Sequence, residues 1–142
     1  MKLIWIILGL TVALLADFTR DDSTQIVTDN NTSLQWQDDD NASSLTLNWK
    51  DAIEFCEALE LGGYSNWRLP NFNELYFLAD RSKRNPAIDN STFENVVPDY
   101  YWSSTTVVGY EYRAWYVDFY YGNDDWDNKS GSFYVRCVRD GQ

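Results

Sequence analysis

The sequence has no histidine, and its 11 lysine and arginine residues face 22 aspartate and glutamate residues, for a net charge of −11. Without histidine, the chain lacks the usual general base near neutral pH and the commonest side-chain metal ligand. An excess of negative charge repels phosphate backbones and anionic lipid surfaces. We therefore expect no nucleic-acid partner and no binding to anionic membranes.

Long apolar runs are also absent, apart from one at the start of the chain. Lys2 precedes the apolar segment from Leu3 to Leu15, and Ala16 separates that segment from polar residues. This pattern predicts a secretory signal peptide over residues 1–16, because a membrane-spanning helix needs about 20 apolar residues. The mature chain, residues 17–142, would be a single domain without a transmembrane segment, and it would be secreted, periplasmic or at the cell surface.

Cysteine is scarce, since Cys56 and Cys137 are the only two. An even number of cysteines in an exported domain predicts one disulfide, with two separate buried thiols as the alternative. A disulfide would leave no reactive thiol, and no histidine is present to activate a serine. The sequence therefore predicts a protein that is not an enzyme. The weaker alternative is a polysaccharide-acting hydrolase that uses two carboxylates.

Aromatic residues, by contrast, make up 17% of the chain, with 7 tryptophans and 10 tyrosines. Several fall on or beside the predicted loops between the late strands, where clustering would create a contact surface for a glycan ring or a protein. The alternative is that most of them cover the sheet. The candidate ligand-binding residues are Tyr110, Tyr112, Tyr121 and Trp126, with Tyr120 beside them.

Two acidic segments raise the question of a metal site. The run from Asp38 to Asp40 lies in a predicted polar loop, and we interpret it as solvated, with a calcium site as the alternative. A predicted polar turn over residues 122–128 holds four more oxygen-bearing side chains. Calcium at that turn is the one cofactor that the sequence suggests, against a solvated turn. Its candidate ligands are Asp124, Asp125, Asp127 and Asn128.

The early part of the chain predicts a hairpin followed by a helix. Residues 26–37 contain two short apolar stretches around an Asn/Asp-rich turn, which is typical of a β-hairpin. Asn48 is expected to cap a first helix that carries Cys56 on its apolar face. Two glycines at positions 62–63 are expected to end this helix.

A second helix is predicted shortly afterwards. Asn71 is a good N-cap, and Glu74 three residues later can reach back to the first turn. The pattern predicts a helix that begins at about Phe72 and fades near the basic residues 81–84, which suit a helix C-terminus.

Arginines beside apolar residues have two interpretations. Arg68 is expected to pair with a carboxylate such as Glu74 or Asp118, and the alternative is a ligand-facing arginine. Arg136 and Arg139 alternate with Cys137 in a strand that bears on the core. We interpret both as structural ion-pair formers rather than ligand clamps.

The second half of the chain predicts antiparallel strands. Alternating patterns mark residues 100–105, 114–120 and 133–139. The last of these strands places Cys137 on its apolar face, able to meet Cys56 on the first helix. The predicted fold class is α+β, with two helices packed on an antiparallel sheet.

Several short motifs, taken in order and spacing, resemble the Lcl C-terminal domain family from about Ile26 to Arg139. The motifs are Trp49-x-x-Ala52-x-x-x-Cys56, Trp67-Arg68-Leu69-Pro70-Asn71-x-x-Glu74-Leu75, Tyr101-Trp102-Ser103-Ser104-Thr105, Ala114-Trp115-Tyr116-Val117-Asp118-Phe119 and Tyr134-Val135-Arg136-Cys137-Val138-Arg139. The resemblance implies a C-type-lectin-like fold with a disulfide from the first helix to the final strand. The motif residues that we interpret as structural are Trp67, Arg68, Glu74, Trp102, Asp118 and Arg136.

The family consists of exported bacterial domains, mostly of unknown function, and is named for a collagen-like adhesin. The resemblance favours a non-catalytic binding module that recognises a glycan or protein at the cell surface through its late loops. The alternative is a structural subunit of a bacterial surface assembly, in which the aromatic surface packs on copies of the chain as a homo-oligomer or on a partner.

Overall fold

A computed structural model describes residues 17–141, so the predicted signal peptide lies outside the described residues. Nine strands and three helices follow one another along the chain within this range. They are β1 (Phe18–Asp21), β2 (Ile26–Asp29), β3 (Leu34–Gln37), α1 (Asn41–Ser44), β4 (Thr46–Leu47), α2 (Trp49–Ala58), α3 (Phe72–Leu78), β5 (Tyr100–Val107), β6 (Tyr110–Asp118), β7 (Asp124–Asn128), β8 (Phe133–Tyr134) and β9 (Val138–Asp140).

The strands form two sheets, in the orders β1-β2-β3-β9 and β4-β8-β5-β6-β7. All neighbouring strands pair antiparallel except β5 and β8, which are parallel. Helix α2 packs against β5, and α3 packs against β5 and β6. The predicted α+β class is confirmed, although the strands form two sheets instead of one, and the short helix α1 is an addition.

The final segment is where the two sheets meet. Residues 133–139 were predicted to be one strand, but the structure divides them into β8 of the larger sheet and β9 of the smaller one. Gln37 explains the break, because its backbone N–H donates to the Cys137 carbonyl at 3.0 Å and its side-chain oxygen accepts the Cys137 N–H at 2.9 Å. The chain therefore leaves one sheet and joins the other at Cys137.

The predicted disulfide is confirmed. Cys56 on α2 and Cys137 are bonded, with their Cα atoms 5.5 Å apart, and both are fully buried. A core cluster surrounds the bond and includes Trp67 and Trp102, whose indole N–H groups donate to the Leu61 and Leu47 carbonyls. The disulfide thus fixes α2 against the point at which the two sheets meet.

Both long helices begin where the caps predict, but they end earlier. The Asn48 side chain accepts the Asp51 N–H at the start of α2, which ends at Ala58, because Leu59 is extended. The two glycines at 62–63 instead turn the chain between Leu61 and Tyr64, which exchange backbone hydrogen bonds. The prediction that these glycines end the helix is therefore wrong by four residues.

Helix α3 begins with the predicted capping box. The Asn71 side chain accepts the Glu74 N–H, and the Glu74 carboxylate accepts the Asn71 N–H. The helix ends at Leu78 and not near residues 81–84, because Ala79 adopts an extended conformation. Arg81 still satisfies the helix end from outside, since its guanidinium donates to the Tyr76 carbonyl at 2.8 Å.

Arg68 forms a two-point ion pair with Glu74, at 2.6 and 2.8 Å. It also donates to Asp140 on β9, at 3.1 Å. Glu74 is one of the two carboxylates that the sequence offered as its partner, whereas Asp118 lies at the far end of β6. Through Glu74 and Asp140, Arg68 links the start of α3 to the last strand, so its role is structural.

Asp38 is the centre of a buried ionic network, and the prediction that its acidic run is solvated is wrong for this residue. Its carboxylate is fully buried and accepts hydrogen bonds from Arg20 Nε at 2.9 Å and from an Arg136 guanidinium nitrogen at 3.0 Å. The backbone N–H groups of Glu94 and Asn95 donate to the same carboxylate. Because Arg136 is also buried, the network joins the sheet junction to the loop that precedes β5.

Candidate binding surface

Strand β7 is the outer strand of the larger sheet, and residues 124–128 are not the polar turn that the sequence predicts. It pairs with β6 so that Trp126 lies opposite Trp115, and Asp125 lies opposite Tyr116. Side chains alternate along a strand, and directly opposed residues share a face. Trp126 therefore projects from one face of the sheet and Asp125 from the other.

Three aromatic side chains and one arginine form a cluster beside this edge. We call it the Arg113 cluster, and it consists of Tyr110, Tyr112, Arg113 and Trp126. The Tyr110 and Trp126 rings are nearly parallel, with centroids 6.4 Å apart. The guanidinium carbon of Arg113 lies 4.1 Å from the Trp126 centroid, 4.9 Å from that of Tyr110 and 5.0 Å from that of Tyr112. The arginine thus contacts all three rings.

The rings of the cluster remain open to solvent. Tyr110, Tyr112 and Trp126 are 47%, 57% and 38% exposed. The structure therefore brings together three of the four residues proposed from the sequence as ligand-binding, and it leaves their surfaces accessible.

The Arg113 side chain is unusual in this acidic chain, because it makes no hydrogen bond or ion pair with any residue in the range 17–141. Its Nε atom is buried without a hydrogen-bond partner. Within residues 17–141, the groups that contact its charge are the three rings, through cation–π contacts. Sequence reasoning missed this residue, although an arginine that follows two tyrosines in an aromatic strand was a usable signal.

A second cation lies next to the cluster. The Lys129 ammonium sits 3.9 Å from the centroid of Trp49 and donates to the Thr106 hydroxyl at 2.9 Å. The Lys129 backbone N–H donates to the Tyr112 carbonyl, which fixes the lysine beside the cluster. The β6–β7 edge therefore carries two cations beside its aromatic rings, on a protein whose net charge is −11.

The candidate calcium ligands do not converge. The strand directs Asp125 and Asp127 to the face of Tyr116, and it directs the other two residues, Asp124 and Asn128, to the face of Trp126. Burial raises the pKa of Tyr116, and the charges of Asp125 and Asp127 add to the shift, which agrees with this placement. Within residues 17–141 no group of three or more acidic, cysteine or histidine side chains is arranged to hold a metal ion. Calcium binding here stays a prediction.

Tyr121, the fourth residue proposed as ligand-binding, lies elsewhere. It follows the end of β6, whose nine residues span about 26 Å at the usual strand rise, whereas Tyr110 and Tyr112 of the Arg113 cluster lie at the start of that strand. Its ring contacts Tyr120, with centroids 4.5 Å apart. Asp118, which we interpreted as structural, shapes this region because its carboxylate accepts the Tyr120 N–H at 2.8 Å.

Comparison with known family models assigns the chain to a family. The model of the Lcl C-terminal domain matches residues 25–139, which is most of the sequence. The chain belongs to the Lcl C-terminal domain family. No curated protein matches the sequence. The Arg113 cluster, the sheet junction and the disulfide all lie within the range that the Lcl C-terminal domain model covers.

No helix within residues 17–141 is long and apolar enough to cross a membrane.

Proposed function

We propose that this Lcl C-terminal domain is a non-catalytic binding module, secreted or exposed at the cell surface, that recognises a glycan through the Arg113 cluster. The observation that carries the proposal is the grouping of three half-exposed rings around an arginine that has no carboxylate partner within residues 17–141. Tyrosine and tryptophan with one wet face suit a contact surface of this kind. The C-type-lectin-like fold implied by the family resemblance agrees with this function.

The cluster is suited to bind because it is already ordered. Cation–π contacts from Arg113 hold the rings in place, so a ligand meets side chains that have little conformational freedom left to lose. Asn128 lies opposite Arg113 on the same face and offers an amide for hydrogen bonds to sugar hydroxyl groups. Flat rings beside hydrogen-bonding side chains favour a glycan over a purely apolar ligand.

The charges around the Arg113 cluster limit which class of glycan it can bind. Asp124 shares the face of Trp126, and the overall charge of −11 opposes strongly anionic polymers. We therefore propose a neutral or weakly charged glycan, not a highly sulfated one.

The proposed location rests on two features. The Cys56–Cys137 disulfide is compatible with an extracellular or periplasmic compartment, where disulfides persist. The apolar segment before residue 17 has the pattern of a secretory signal.

A glycan array probed with the purified protein tests the proposal, once in calcium and once in chelator. We expect binding, and we expect Trp126→Ala to weaken it about tenfold, the scale of a central contact residue in an interface. Phe77→Ala is the matched control, because Phe77 is a 77% exposed aromatic residue on α3, outside the cluster. Its loss should leave the affinity unchanged.

Equal losses from Trp126→Ala and Phe77→Ala would refute the Arg113 cluster as the site. Binding that disappears in chelator would support the calcium prediction at β7. The absence of glycan binding in both conditions would refute the glycan proposal and favour a protein partner or self-assembly, which sedimentation over a range of concentrations would distinguish.

A further inference from the structure

A second aromatic site lies where β6 ends, opposite in character to the Arg113 cluster. Here an open cleft of about 430 Å³ is lined by tyrosines and aspartates. We call it the tyrosine cleft, and the residues that define it are Asp99, Tyr100, Asp118, Tyr120 and Tyr121.

The rings of the cleft present accessible surface. Tyr100, Tyr120 and Tyr121 are 36%, 37% and 57% exposed. Tyr100 stacks on Tyr116 with centroids 4.4 Å apart, which fixes the first ring. Tyr120 and Tyr121 pack edge to face, which fixes the other two. Ring faces carry partial negative charge and attract cations.

The two carboxylates of the cleft each have one oxygen in use and one available. Asp99 Oδ1 accepts the Tyr100 N–H at 2.7 Å, and Asp118 Oδ1 accepts the Tyr120 N–H at 2.8 Å. Neither Oδ2 atom accepts a hydrogen bond from the described part of the chain, and neither residue forms an ion pair there. The cleft is therefore lined by two aspartates and three tyrosines, and no residue in the range 17–141 supplies a cation that pairs with those aspartates.

The backbone holds these groups in a fixed arrangement. The Asp118 carbonyl accepts the Gly122 N–H at 2.7 Å, and the Tyr120 carbonyl accepts the Asn85 N–H at 2.7 Å. Gly122 has a positive φ of 84° and is packed against Arg81 and Ala87, so the turn after β6 has little room to change. The cleft is formed before any ligand arrives.

From these observations we infer that the tyrosine cleft binds a primary alkylammonium group, namely a lysine side chain of a partner protein. The methylene stem would pack on the tyrosine rings, and the ammonium would donate to the free Oδ2 atoms of Asp99 and Asp118. A lysine ammonium has three donors on a compact charge, which suits two separated single acceptors. This site is distinct from the proposed glycan surface, and either can exist without the other.

Nuclear magnetic resonance titration of the full protein tests the inference directly. The probe is N-acetyl-lysine methylamide, whose only charge is the side-chain ammonium. We expect saturable shifts of the Tyr100, Tyr120 and Tyr121 ring signals, with a Kd on the order of 1 mM because one side chain supplies all the contacts. The Nε-acetyl form of the probe, which lacks the charge, should not bind.

A second comparison separates hydrogen bonding from simple charge attraction. The Nε-trimethyl probe keeps the charge and loses all three N–H donors. We expect it to bind at least about tenfold more weakly, the scale of one charge-assisted hydrogen bond. Equal affinities for the lysine and trimethyl probes would overturn the assignment of a primary ammonium.

Substitutions locate the site. Asp99→Asn with Asp118→Asn keeps both Oδ1 acceptors for the local N–H groups, so the turn should stay folded while the cleft loses its charge. We expect lysine affinity to fall about tenfold or more. Asp21→Asn is the matched control, because Asp21 Oδ1 also accepts a nearby N–H, that of Ser23, and the residue is exposed on β1 in the other sheet.

An absence of saturable shifts with the lysine probe would refute the site. An effect of Asp21→Asn as large as that of the double cleft substitution would show that the probe responds to overall charge and not to the cleft. Tyr121→Leu should weaken the lysine probe as well, and unchanged affinity would refute the role of the rings.

Discussion

Replacement of Asp38 by asparagine is the sharpest test of how this fold is held together. The carboxylate is fully buried and accepts four hydrogen bonds, two from arginine side chains and two from backbone N–H groups. Asparagine has the same shape, but it replaces one acceptor oxygen by an NH₂ group that would face N–H donors. The substitution also leaves the Arg136 charge, which is 1% exposed, without its carboxylate.

The magnitude follows from these contacts. Breaking a buried ion pair by removing one partner costs about 3–5 kcal/mol, because the remaining charge is buried and unpaired. A small domain has about 5–15 kcal/mol of total stability. Asp38→Asn should therefore remove a large fraction of it and lower the midpoint of thermal unfolding by about 10–20 °C.

Urea or guanidinium unfolding with the disulfide intact measures this free energy. Asp40→Asn is the matched control, since Asp40 is two positions away, exposed, and its side chain makes no capping hydrogen bond. The control should change the free energy of unfolding by no more than about 0.5 kcal/mol. Equal effects of Asp38→Asn and Asp40→Asn would refute the ionic network as a source of stability.

A double variant tests the pairing itself. Arg136→Met removes the charge that Asp38→Asn leaves unpaired. The loss of unfolding free energy in the double variant should therefore be clearly smaller than the sum of the losses in the two single variants. Additive costs would show that Asp38 and Arg136 stabilise the fold independently.

Two further predictions concern alkaline pH and the disulfide. Burial raises the pKa of Tyr101, so above pH 10.0 the folded state keeps the proton of the Tyr101 hydroxyl while the unfolded state loses it. The free energy of unfolding should therefore fall above that pH by up to about 1.4 kcal/mol per pH unit. Tyr101→Phe should remove this part of the fall in the free energy of unfolding with pH, and an unchanged slope would contradict the assignment. At neutral pH the same substitution should cost about 1–3 kcal/mol, because the Ala42 carbonyl and the Val97 N–H lose the hydroxyl that they bind. The bond between Cys56 and Cys137 closes a separation of 81 residues. Replacing both cysteines by alanine should lower the free energy of unfolding by about 4–5 kcal/mol on the chain-entropy model, and a loss below about 1 kcal/mol would contradict it.

The features that sequence reasoning predicted well are local, such as the helix caps, or follow from the number of cysteines, as the disulfide does. The caps at Asn48 and Asn71 depend on side chains within three residues of the backbone groups that they satisfy. The disulfide followed from a cysteine pair and an apolar pattern on each side. Helix ends were placed too late because the extended conformations of Leu59 and Ala79 are set by packing and leave no strong mark in the sequence.

Features that depend on distant partners were missed. Asp38 stands in a run of three aspartates, which is typical of a solvated loop, but its partner Arg136 is 98 positions away. The alternation of Phe133, Val135 and Cys137 runs up to the point where the chain changes sheets, so one strand was the natural prediction. The Arg113 cluster depends on how β6, its hairpin and β7 come together, which periodicity does not report.

The acidic residues of strand β7 suggest a metal site from the sequence, but their position in the structure indicates a different role. Its aspartates look like metal ligands when they are placed in a turn, but as an outer strand they have a different use. An unpaired strand edge is a template for pairing with another chain, and charged residues along it oppose such pairing. The exposed residues Asp125 and Asp127 would protect the edge in this way, while Trp126 between them faces the opposite side and joins the Arg113 cluster. The alternation of a strand thus allows the same five residues to keep the sheet edge closed to other chains and to offer an aromatic surface to a ligand.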